Sequence, residues 1–143
     1  MPVVFKPPCT VYRLRMATRR ATRLYDHFLA PSGLGIAQFG VLQIVARSHG
    51  ATLTEIAATL DMDRTTLTRN LTPLLREGLV RTARGKDQRS RSVLITPDGE
   101  AAIAKALPMW RAAQSALRDQ LGAKSVETLH ELLDATLVEI PDT

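Results

Sequence analysis

Between Thr52 and Gly78 the chain writes two helix starts and one stop within 27 positions, and this constrains the fold more than any other feature. Thr52-Leu53-Thr54-Glu55 is a capping box, in which the threonine hydroxyl accepts from an exposed amide and the glutamate reaches back. Leu53, Ile56, Ala57 and Leu60 form the inward side of the short helix that follows. Asp61-Met62-Asp63 makes a tight turn, and Asp63 caps a second helix that starts at Arg64. That helix reaches about Glu77, buries Leu67, Leu71, Leu74 and Leu75, and stops at Gly78.

The flanks complete the layout. Leu14, Ala17, Ala21, Leu24 and Phe28 fall on one stripe of a helix over 10–30, with Arg15, Arg19 and Arg23 on an i, i+4 row elsewhere. Pro31 to Gly35 breaks it, and a helix over 36–48 places Ile36, Phe39, Leu42 and Val45 together. After Gly78, Leu79–Arg84 and Arg91–Thr96 read as strands joined by the turn Gly85-Lys86-Asp87-Gln88-Arg89, with Val93 and Ile95 on one side. Thr96 caps a long helix with Pro97 at its first position. Gly122 separates this from a last helix with Val126, Leu129, Leu133 and Ile140 in a stripe. Pro73 and Pro108 fall inside helices, which predicts a kink at each or a boundary at Pro108. The fold class is therefore mainly α with a small two- to three-stranded β wing: a winged helix-turn-helix between N- and C-terminal helices.

Composition removes several classes. With 143 residues, 45% of them hydrophobic, the chain can bury a core, and disorder throughout is excluded. No window of 18 residues is free of charged or strongly polar groups, so no membrane span is expected. The first eight residues lack the apolar core of a signal peptide, so the expected location is cytoplasmic. A lone Cys9 excludes an internal disulfide, and His27, His49 and His130 share no ligand spacing, so neither metal nor cofactor is expected. There is no nucleophile motif, no paired histidine and carboxylate and no phosphate loop, so an enzyme is not expected and no catalytic residue is assigned.

Charge points to the partner. The net charge is +5, but its distribution matters more. Residues 1–25 carry six bases and no acid, and residues 81–91 carry five bases against Asp87. Residues 97–143 carry eight acids against four bases. A basic face beside an acidic remainder suits a polyanion. The second helix of the pair is thin enough for a major groove, and its first turns offer Arg64, Thr65, Thr66, Thr68, Arg69 and Asn70. Arginine suits guanine, asparagine suits adenine, and threonine suits phosphate or a thymine methyl. Arg84, Lys86, Arg89 and Arg91 on the ribbon suit the backbone or a narrow minor groove, with Asp87 orienting a neighbouring arginine. Double-stranded DNA is the expected partner. A basic run taken alone is more often a solvated surface; its place after a polar helix changes that reading.

The stretch Leu53 to Gly99 resembles the MarR family of bacterial transcriptional regulators. The matching residues are Leu53-Thr54-Glu55-Ile56-Ala57, Asp63 through Leu71, and Leu75-Arg76-Glu77-Gly78-Leu79-Val80. The family's wing pattern appears as Asp87-Gln88-Arg89, Leu94-Ile95-Thr96 and Gly99, and Ala37-Gln38-Phe39 fits the opening of the second helix. The resemblance implies one MarR-like domain over 1–143, with a DNA-binding lobe at 36–99 and dimerisation helices at 10–30 and 97–140. It implies a homodimer on a pseudo-palindromic operator, acting as a repressor and released by a small molecule. The effector pocket it implies lies between the dimerisation helices and the lobe, pointing to Arg15, Arg19, Tyr25, His27, Phe39 and Trp110. An anionic aromatic or acyl-conjugate effector suits such a set. Peroxide sensors of the family carry a reactive cysteine near the start of the first helix, which offers Cys9 as a redox switch. Its offset of about two residues from the matching tyrosine, Tyr25, turns it by roughly 200°, and an incidental thiol is the plainer reading. An alternative from another class is a winged-helix protein-interaction module, against which the basic wing argues.

Overall fold

The computed structural model describes residues 8–84 and 90–142; the turn at 85–89, with Lys86, Asp87 and Arg89, lies outside the described residues. The chain is mainly α-helical, with a two-stranded wing. Its elements are α1 (Thr10–Leu29), a 3-10 turn (Ala30–Ser32), α2 (Ile36–Ser48), α3 (Leu53–Thr59) and α4 (Arg64–Arg76). They continue with β1 (Val80–Arg84), β2 (Arg91–Ile95), α5 (Pro97–Leu121) and α6 (Ala123–Glu139). No single helix among the described residues is long and apolar enough to cross a membrane.

The local signals form as their chemistry requires. Thr52 Oγ1 accepts from the Glu55 amide at 3.3 Å, and the Glu55 carboxylate accepts from the Thr52 amide at 2.8 Å. Asp63 Oδ1 accepts from the Thr66 amide at 2.7 Å and starts α4. At its end, Gly78 takes φ +72°, and the amides of Gly78 and Leu79 bond the carbonyls of Leu75 and Leu74, a paired closure that uses up the last helical acceptors. The start of α2 is capped from a distance: Asp26 of α1 accepts from the Ile36 amide at 2.8 Å.

β1 and β2 pair antiparallel, with Val80 opposite Ile95, Thr82 opposite Val93 and Arg84 opposite Arg91. The wing's third strand amounts to one bridge, Thr52 to Ser92, with the Val93 amide donating to the Ala51 carbonyl at 2.9 Å. Thr96 joins three elements. Its hydroxyl donates to the Gly78 carbonyl at 2.6 Å and accepts from the Gly99 amide at 3.1 Å, which caps α5.

The core gathers Leu29, Phe39, Leu42, Val45, Ile56, Leu67, Leu71, Leu74, Val80, Val93 and Ala106. α5 packs against α1 and α2. Two expectations change, at Leu75 and at Pro108. Leu75 is exposed, because it lies about a quarter turn round α4 from the centre of the Leu67–Leu71–Leu74 face. Pro108 is not a boundary, since α5 runs unbroken for 25 residues, and Pro73 lies inside α4 as the sequence implied. Each proline leaves one carbonyl four residues earlier without its donor, on the exposed Arg69 and Ala104. In the α6 stripe only Val126 is buried; Leu129, Leu133 and Ile140 are exposed.

Candidate nucleic-acid interface

α4 turns Leu67, Leu71 and Leu74 into the core. At about 100° per residue, its opposite side is centred on Thr65 and Arg69. Both are exposed, as are Arg64 and Thr68; Thr66 is half-buried against the cap. Asn70 is also half-buried, its amide 3.9 Å from the Met62 sulfur. Bonding from the Thr66 amide holds the Asp63 carboxyl below its ordinary pKa, with a further contribution from the Arg69 guanidinium. One carboxylate thus caps the helix and lies in the field of its outward arginine.

Arg84 and Arg91 are both exposed and face each other across the ribbon. Arg91 shares its strand face with the inward Val93, so at the first residue of β2 it turns toward α3 and α4. There Thr52, Leu53, Thr54, Arg64, Ser90 and Arg91 line an open groove of ≈ 330 Å³. Sequence reasoning named Arg64 and Arg91 separately and missed Thr54, whose connection to them is tertiary.

The effector candidates scatter. Arg15, Arg19 and His27 are exposed on α1, and the His27 ring stands edge-on to Phe28. Tyr25 is half-buried; its hydroxyl donates to the Gln114 side chain of α5, and burial raises its pKa. Phe39 is fully buried, 6.4 Å from the Trp110 ring. Trp110 also borders an open groove of ≈ 590 Å³, with Gln43, Ala46 and Arg47 of α2 and Ile103, Leu107 and Arg111 of α5. Only Trp110 of the six expected residues lines it. The added residues carry a sequence signal: Ile103, Leu107, Trp110 and Arg111 lie on one side of a helix. Cys9 is exposed at the start of α1.

A sequence model of the MarR family matches residues 32–90. An uncharacterised HTH-type transcriptional regulator of Bacillus cereus is 32% identical over 122 residues, 85% of this chain and 82% of its own. The M. tuberculosis transcriptional regulator MosR, solved in complex with DNA, is 36% identical with a TM-score of 0.77, covering 92% of this chain and 99% of that one. The transcriptional repressor CouR, bound to a 23-mer DNA duplex, is 31% identical with a TM-score of 0.81, covering 92% and 93%. CouR bound to p-coumaroyl-CoA gives a TM-score of 0.83 at 29% identity, covering 92% and 94%. The outward polar side of α4, the arginine-bearing ribbon beside it and this kinship along most of the chain have one explanation: the protein belongs to the MarR family of winged helix-turn-helix, DNA-binding transcriptional regulators.

Proposed function

We propose that the protein is a ligand-responsive repressor that binds a pseudo-palindromic duplex operator as a homodimer. The observation that carries this reading is the projection of Thr65, Thr68 and Arg69 from the side of α4 opposite its core leucines. A helix presented this way meets base edges in a major groove, while ribbon arginines meet the backbone. By the family's sequence pattern, Lys86, Asp87 and Arg89 join this DNA-binding set.

The dimer is supported by apolar surface that the single chain leaves uncovered. Leu132, Leu137, Val138 and Ile140 near the C-terminus and Val11, Tyr12 and Leu14 at the start of α1 are all exposed. Two such groups of exposed large apolar side chains suit an interface. The effector is a small anionic aromatic acid or an acyl conjugate. The groove at Trp110 has an apolar floor of Ile103 and Leu107 with Arg47 and Arg111 at its margin, a combination that suits a ring or acyl chain carrying an anion. Arg15, Arg19, Tyr25 and His27 on α1 would reach this effector through rearrangement or from a second copy. CouR's complex with p-coumaroyl-CoA lends the acyl-conjugate class support.

The test is a titration of purified protein against DNA upstream of its own gene, beside a scrambled duplex, at two salt concentrations. Preferential binding of the native duplex, reversed by an aromatic acid or acyl thioester, is the expected result. Equal, steeply salt-dependent binding to both duplexes with no response to either compound class would refute it.

A further inference from the structure

We propose that the groove between α3, α4 and β2 seats a single phosphodiester of the DNA backbone, gripped by Arg64 and Arg91 with the Thr54 hydroxyl beside them. This rests on the duplex-binding reading above and changes one assignment within it: Arg64 positions the protein and does not read a base.

The geometry of α4 separates Arg64 from its neighbours. Thr65 and Arg69 lie opposite the buried leucines, whereas Arg64 lies on the flank that turns toward the ribbon. That flank closes one side of the ≈ 330 Å³ groove, and Arg91 closes another. Arg64 and Arg91 come from segments 27 positions apart in sequence and line one concavity, whose described lining contains no acid. Arg84 sits directly opposite Arg91 across the ribbon, and like charges in register across a strand pair repel. An anion placed between the ribbon and α4 offsets that repulsion. The groove is open and roomy enough to admit a phosphodiester with its flanking sugars. Guanidiniums approaching from two sides match the tetrahedral oxygens of a phosphodiester. The Thr54 hydroxyl, exposed on the same groove, adds a neutral donor.

A phosphate held here fixes how deeply and at what angle α4 enters the groove, because Arg64 is the first residue of that helix. Backbone contacts of this kind set register and carry no sequence information themselves.

The experiment uses the full chain and two duplexes: one selected by the protein from a random-sequence pool, and one random 30-base-pair duplex. Arg64→Ala and Arg91→Ala should each weaken binding to both duplexes by the same factor, about tenfold. The double variant should lose clearly less than the product of the two single losses, because both side chains hold one group. Replacing backbone phosphates singly with neutral methylphosphonate should reveal one position in each half-site that weakens the wild type and leaves the double variant unaffected. This last measurement needs no substituted protein to be compared for folding on the wild-type arm. A change in the selected-to-random ratio for Arg64→Ala, or strictly multiplicative single losses, would overturn the proposal while leaving DNA binding intact. Failure of the wild type to bind either duplex would instead overturn the duplex-binding reading, and this proposal with it.

Discussion

The same substitution, glycine to alanine, should move stability in opposite directions at two helical positions of this protein. At Gly99 an added Cβ would lie 2.1 Å from the Leu79 carbonyl oxygen and 2.8 Å from Ile95 Cγ1. Real Cβ atoms stay beyond 3.0 Å of such neighbours, so the start of α5 must move about 0.9 Å from the backbone between α4 and β1. The obstacle is a carbonyl, which cannot swing aside like a side chain. That carbonyl accepts from the Thr96 amide at 3.1 Å, and the Gly99 amide itself donates to the Thr96 hydroxyl. Overpacking costs about 1–3 kcal/mol, and loss of one of these bonds adds about 1 kcal/mol. Alanine's better helix propensity returns about 1 kcal/mol. The net loss is about 1–3 kcal/mol, a fall in Tm of roughly 3–10 °C for a chain of this size. At Gly40, inside α2, an added Cβ meets nothing within 4 Å. Only the propensity gain remains there, so Tm should rise by about 3 °C. Thermal melts followed by circular dichroism at one fixed protein concentration would measure both. A Gly99→Ala protein that melts at or above the wild type would refute the packing argument.

Three other substitutions test the site. Asp63→Ala should lower Tm by a constant amount between pH 7 and pH 5. Because the folded pKa of Asp63 is depressed by its bonds to α4, its contribution is present above the unfolded value of 3.8 and is lost as pH falls through the lower folded value; the two melting curves should converge there. Arg69→Ala should reduce the preference for a selected duplex over a random one by about tenfold, as expected for one base contact, and an unchanged ratio would remove Arg69 from the reading set. Leu137→Asp should shift the sedimenting species toward the 15.7 kDa single chain; a dimer of wild-type affinity would show that this part of α6 lies outside the interface.

What the sequence made legible is what short-range chemistry controls. Thr52 with Glu55, Asp63 with Thr66, and Thr96 with Gly99 are caps made within three residues, so each could be read before any fold was known. The Asp26 cap on α2 spans ten residues and depends on how α1 packs, so no local pattern announces it. Leu75 fits the apolar count of α4 but not its geometry. Pro108 failed as a boundary signal because α5 is held by packing against α1 and α2 on either side of the missing bond. The effector residues were the least legible. They follow from the resemblance alone, and the groove that Trp110 borders depends on how α2 and α5 pack against each other. Tyr25 illustrates the difference: its hydroxyl, available on paper for a ligand, is bonded to Gln114.

The Thr96 hydroxyl joins the last turn of the recognition helix, through Gly78, to the first turn of α5. Mechanically this makes Thr96 a fulcrum. α5 is a lever of 25 residues, about 37 Å long, and Trp110 sits near its middle, with Tyr25 fastened to it at Gln114. With the far end held, a tilt of about 5° along that arm would displace the Thr96 end, and α4 with it, by about 3 Å, a large error against half-sites spaced by about 34 Å. A ligand that wedges α5 from α2 therefore need not touch the reading head. The end of α4 meets the start of α5 through the Thr96 hydroxyl, the Thr96 amide on the Leu79 carbonyl and the close approach of Gly99 to that carbonyl.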